Sequence, residues 1–280
     1  MAAAAARLET RPGARRRALW VGALLVIAAG AWIAVVSQAA SSEDDHERML
    51  TMGMAFPLFL GTWVLMMMAM MLPAASPMVD AFTRAQAVHQ RANLPVVSPA
   101  LFVAGYLLIW SSTGVAAFAV ARLLEDAAME RDWLMEAGPR FAGALVVAAG
   151  VYQFTSLKRA CLGKCRTPTS FIATSWKDGP GGAIQMGVKH GVVCLGCCWF
   201  LFVVLFPLGI MNVLAMVGVT LLVFAEKVLP RGERVALAAG GLLIAYGLLV
   251  LAVPDALPSL TSGESGSETD GGGMEAMDGM

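Results

Sequence analysis

Charge is what this sequence has least of. Only 14% of its 280 residues are Asp, Glu, Lys or Arg, against 58% hydrophobic, where a soluble domain carries about 25% charge. The formal net charge is zero, so the basic footprint of a nucleic-acid binder is missing. Five cysteines, placed at 161/165 and 194/197/198, are too few and too clustered for a secreted disulfide framework. No P-loop, no ATPase phosphorylation motif and no Ser/His/Asp set is present, which argues against an ATP-driven pump or a hydrolase. The apolar runs also lack the chain of Asp and Glu that a proton-coupled pump would show.

What is present comes in long uninterrupted apolar runs, with a mean hydropathy of +0.69. Such runs are the mark of membrane-spanning helices. The expected fold is all-α, a polytopic transmembrane helix bundle of about seven spans, at 19–38, 56–73, 99–121, 140–157, 187–207, 209–227 and 235–253. Residues 191 to 225 carry no charge; that stretch is too long for one span, and Pro207-Leu208-Gly209 supplies a turn to divide it. The Gly-rich segment Lys177 to Lys189 reads as a loop. Alternate connecting segments hold 16 of the 20 Lys and Arg. Under the positive-inside rule this puts the N-terminus in the cytoplasm and the C-terminus outside. Residues 1–18 form a basic cytoplasmic N-terminus, 19–253 the transmembrane domain, and 254–280 an acidic, Met-containing tail with the composition of a disordered segment. The first span reads as an uncleaved anchor, because its apolar stretch is longer than the core of a signal peptide, although Ser37-Gln38-Ala39 resembles a cleavage site.

Sulfur is concentrated within these runs. Met186, His190, Cys194, Cys197 and Cys198 fall within an arc of roughly 120° on a helix. Gly187 and Gly191 lie beside that stripe, where a neighbouring helix could approach closely. In the second span five methionines fall within the six residues Met66 to Met71. Met66, Met67, Met70 and Met71 share one face, and Met68 points the other way. Thiolates and thioethers select Cu(I) and similar soft ions. Cysteine is also a small buried hydrophobe and methionine an adaptable core filler, so packing is the alternative for each. One helix cannot easily close a site alone, so a further ligand from another helix is expected.

A third group lies after the fourth span. Cys161 and Cys165 are at i and i+4, so a helical turn would put both thiols on one face, and Lys158, Lys164 and Arg166 would favour their thiolate forms. Further candidates on the outer side are His46, Met49, Met52 and Met54. Tyr152, Gln153 and Asn212 are expected to hydrogen-bond between helices. Glu226 and Lys227 read as a snorkelling or paired boundary at the cytosol.

Together these pieces resemble a bacterial family of predicted metal-binding integral membrane proteins, whose members are sometimes labelled copper chaperones. The resemblance rests on Trp63 through Pro73, Tyr152-Gln153, Leu157-Lys158, Cys161, Cys165, Arg166 and Pro168. It continues through Gly187, His190-Gly191, Cys194 to Trp199, Met211-Asn212 and Glu226-Lys227, and so covers about 50–230. It implies metal binding, with copper as the expected metal, in the inner membrane. The leading expectation is a soft-metal-binding membrane protein, a chaperone or facilitator that passes Cu(I) between ligands at Met66, Met67, Met70, Met71, His190, Cys194, Cys197, Cys198, Cys161 and Cys165. A copper-donating or copper-accepting protein would be its partner. Two alternatives remain: a membrane thiol–disulfide oxidoreductase using Cys161/Cys165 and Cys194/Cys197, and a non-catalytic structural subunit of a membrane complex.

Overall fold

A computed structural model describes residues 12–41, 51, 53–130, 132–210 and 212–253. Every regular element among them is a helix: α1 Pro12–Ser41, α2 Phe56–Arg91, α3 Pro99–Glu130, α4 Asp132–Tyr152, α5 Ser156–Arg166, α6 Pro168–Ser175, α7 Gly179–Val203, α8 Leu205–Leu208, α9 Val213–Val228 and α10 Gly232–Ala252. Among the described residues, five stretches are long and apolar enough to cross a membrane: Ala14–Ala40, Phe56–Arg91, Pro99–Ala127, Gly179–Leu208 and Gly232–Ala252. The pair Ala137–Tyr152 and Ser156–Arg166 passes the same test jointly, bent by 61°, and would make a sixth. The expected span at 209–227 corresponds to α9, whose 16 residues fall just short of the usual ~17–25.

The helices pair through specific contacts. α1 lies against α2, with Arg17 Nε donating to Asp80 Oδ1 at 2.6 Å near one end and Gln38 Nε2 to Thr62 Oγ1 at 3.0 Å near the other. α2 lies against α3, where Trp63 Nε1 donates to the Trp110 carbonyl at 3.1 Å and Phe82 stacks on Phe102. α3 and α7 touch backbone to backbone. A Cβ on Gly187 would collide with the Phe102 carbonyl, and one on Gly105 with the Ile184 carbonyl. The close approach expected at Gly187 and Gly191 is therefore made, and α3 is the helix that makes it. The small residues at this crossing serve where lipid offers no hydrophobic drive for helices to associate.

One local expectation is corrected. The Lys177–Lys189 segment is not a loop beyond Asp178, because α7 begins at Gly179. The proline in Gly179-Pro180-Gly181-Gly182 occupies the first turn, where its missing N–H costs nothing. Asn212 bonds to two consecutive helices: it caps α9, accepting from the Ala215 amide at 3.0 Å, and donates to the Leu208 carbonyl of α8 at 2.9 Å. The turn expected at Pro207-Leu208-Gly209 does form, with Gly209 at φ 89°, a conformation open to glycine at little cost.

α5 decides where the site lies. Thr155 caps its start by accepting from the Lys158 amide at 3.2 Å. The bend at 153–155 folds α5 back against α7 and α9.

Candidate metal centre

Met186, His190, Cys194, Cys197 and Cys198 are all buried along one side of α7. The sulfurs of Cys194, Cys197 and Cys198 all lie within 4.8 Å of one another. Their convergence is a consequence of the helix. Cys197 and Cys198 sit one turn above Cys194, and both thiols donate to the Cys194 carbonyl, at 3.0 and 2.9 Å.

Other elements close the group. From α5, the Cys165 sulfur lies 3.9 Å from that of Cys197. Cys161 presses its sulfur toward Gly196, where a Cβ would come within 2.8 Å of it. From α3, the Tyr106 hydroxyl lies 3.1 Å from the Cys194 sulfur. From α9, Lys227 Nζ lies 2.9 Å from the same sulfur. The Tyr152 hydroxyl donates to the Gly196 carbonyl, the bond between helices expected of it. Sulfurs sharing one ion at about 2.3 Å each lie roughly 3.8–4.6 Å apart. The 3.9 Å between the Cys165 and Cys197 sulfurs falls in that range, and the donor set is the soft one that a thiophilic ion prefers.

His190 lies one turn before Cys194. Its ring stacks on Tyr106 at 5.2 Å and on Phe102 at 5.9 Å, with the Phe171 edge at 5.5 Å. Its Nδ1 is buried without a hydrogen-bond partner among the described residues. Met66, Met67, Met70 and Met71 are each 0–1% exposed, in one contiguous core with Cys194, Cys197 and Cys198. Met68 turns to a different cluster, on the far side of α2. Met54 is half-buried and takes the Thr62 hydroxyl at 3.8 Å. His46, Met49, Met52 and the tail methionines lie outside the described residues.

Three expectations about this region are revised. Cys161 and Cys165 do not form a separate cytoplasmic station; α5 brings them to the thiols of α7. Two of their three basic neighbours are engaged elsewhere: Lys158 Nζ binds Glu226 Oε2 at 2.7 Å, and Arg166 donates to the Glu226 carbonyl at 2.5 Å and the Pro230 carbonyl at 2.8 Å. Of the two readings offered for Glu226 and Lys227, snorkelling or pairing, Glu226 is paired and neither residue snorkels. Glu226 and Lys158 form an ion pair with both side chains 1% exposed, and Lys227 reaches the thiol group itself. The sequence reasoning missed Tyr106 and Lys227 as neighbours of the thiols. For Lys227, the signal was a charge bordering an apolar run; for Tyr106 there was none.

Residues 60–250 match the family model PpoB2, described as copper chaperone. The chain belongs to the PpoB2 copper chaperone family. The matched region contains every cysteine, His190 and the methionine stripe of α2; Met54 lies before it. No curated protein and no solved structure matches the chain.

Proposed function

We propose that this family member is a bacterial inner-membrane protein that carries Cu(I) as cargo on thiols of α7 and α5, passing it to or from a protein partner. One observation carries the reading: three buried cysteine sulfurs of α7 lie within 4.8 Å of one another, and the Cys165 sulfur of α5 lies 3.9 Å from that of Cys197. Cys194, Cys197 and Cys198 supply the ligands on α7, and Cys165 the ligand from the second helix. Cys161 and His190 flank the set as exchange ligands at its two ends. Met66, Met67, Met70 and Met71 on α2 form a thioether station in the same core. Thioethers bind Cu(I) without losing a proton, and a weak neighbouring station lets the ion leave the thiols by ligand exchange.

The topology proposed for this function has seven spans, with the N-terminus inside and the C-terminus outside. The charge alternation supports it, and so do the directions in which helices run. α1 and α2 pair antiparallel, as Arg17–Asp80 and Gln38–Thr62 require. α3 and α7 run parallel, since Gly105 meets Ile184 and Ile109 meets Gly191. α4 and α10 run antiparallel, since Gly143 meets Gly247 and Gly150 meets Gly240. All three relations are those of spans one and two, three and five, and four and seven. In this arrangement Lys227 ends a span that returns to the cytosol, so the thiols lie in the cytoplasmic half of the bundle, beneath α5.

The test is Cu(I) titration of the purified protein with a competing chelator. Tight, roughly stoichiometric binding supports the reading. A thiol–disulfide role has one observation in its favour, the 3.9 Å approach of Cys165 and Cys197, and predicts instead a disulfide between those two residues on oxidation with no metal retained.

A further inference from the structure

Lys227 reaches from α9 to the thiols of α7. Among the described residues no carboxylate pairs with it, and its ammonium ends on the Cys194 sulfur at 2.9 Å. The other buried charges at this level cancel, because Lys158 and Glu226 are bound to each other. Arg166 spends its guanidinium on two backbone carbonyls. One positive charge is therefore left facing the thiols.

That charge has a consequence for what the thiols can hold. Net charge in an apolar interior is expensive unless it is compensated nearby. With two of the four thiols ionised and the other two still protonated, one monovalent ion brings the sum to minus one, which a single ammonium cancels. Two thiolates and one divalent ion are already neutral, and the ammonium then becomes an uncompensated excess. We propose that Lys227 is the fixed counter-cation of the thiol site. It lets a monovalent soft ion be buried on two thiolates at zero net charge, and so makes the site choose Cu(I) or Ag(I) over a divalent ion that favours the same two-thiolate geometry. The proposal rests on the metal-carrying reading of the thiols and adds the residue that sets the preferred charge of the cargo.

Ag(I) and Hg(II) isolate the effect, because both favour two thiolates and they differ by one charge. The full-length protein and the variants Lys227→Met and Lys227→Arg, in detergent micelles, are titrated with each ion against a competing thiol. Lys227→Gln serves in place of Lys227→Met should the methionine variant fail to keep its helical circular dichroism. The expected result is a loss of Ag(I) affinity of about tenfold or more in the uncharged variant, the weight of one charge-assisted hydrogen bond. Hg(II) affinity is unchanged or higher, and Lys227→Arg keeps the wild-type preference. Equal weakening for both ions assigns Lys227 a structural role and overturns the proposal; so does no change for either ion. If the wild-type protein retains neither ion, the thiol site itself fails as a metal site, a different outcome from a wild-type protein that binds both while its variants behave alike.

Discussion

Two sulfur-rich stripes face the same core, and they are dressed differently. On α2, Met66, Met67, Met70 and Met71 are buried in the apolar core, and among the described residues no hydrogen-bond donor meets their sulfurs. On α7, the Cys194 sulfur has a tyrosine hydroxyl and an ammonium upon it, and its carbonyl takes two further thiols. A packing role needs only volume, and the methionine stripe meets that need whether or not it also binds an ion. Polar partners aimed at a buried sulfur require another explanation, because placing an ammonium there is costly unless it meets negative charge. The cysteines therefore carry the functional argument, and the methionines support it.

The comparison can be broken hardest at the ion pair behind the thiols. Lys158→Met leaves Glu226 buried without its cation, which costs about 3–5 kcal/mol; thermal unfolding in detergent should show a large fall or no folded protein at all. The double change Lys158→Met/Glu226→Leu should recover much of the loss. A single variant as stable as wild type would mean that water reaches this pair.

The next largest effect is at the helix crossing that holds Tyr106 and His190 over Cys194. Gly187→Val must push α3 away from α7, since its Cβ would meet the Phe102 carbonyl. The expected loss of stability is about 1–3 kcal/mol, with weaker Cu(I) binding as a second readout. A smaller effect is expected at the contribution of α5. Cys165→Ala should weaken Cu(I) binding by about tenfold, or 1.4 kcal/mol, without unfolding the protein. Undiminished binding would assign the closed site to α7 alone.

The smallest effect at equilibrium is expected on α2. Changing Met66, Met67, Met70 and Met71 to leucine conserves volume, and each change should cost less than about 1.5 kcal/mol. Equilibrium Cu(I) binding at the thiols should persist while release to a soluble acceptor slows, as stopped-flow transfer would record. Unchanged transfer would reduce the methionine stripe to packing.

Periodicity made half of this site legible. Spacings of four, seven and eight residues put His190, Cys194, Cys197 and Cys198 on one face of α7, and the structure buries all four. The same local logic placed Met68 apart from its neighbours. What periodicity could not reach was the fold of α5. The i, i+4 spacing of Cys161 and Cys165 was visible, but their approach to α7 depends on a 61° bend and on the absence of a side chain at Gly196. Lys158 and Glu226 are 68 residues apart, and a contact at that separation is set by tertiary packing. The Gly-rich start of α7 was misread for a different reason: a proline in a first turn favours a helix, while the glycines around it argue for a loop, and packing against α3 decides the outcome.

The central claim is that the thiols of α7 hold the cargo. Its most direct test is Cu(I) titration of the purified wild-type protein beside Cys194→Ser/Cys197→Ser/Cys198→Ser, with metal content measured on both as isolated. Tight binding in the wild type that disappears in the triple variant, while helical content is kept, is the predicted result. Equal binding in both proteins, or none in either, would contradict the account.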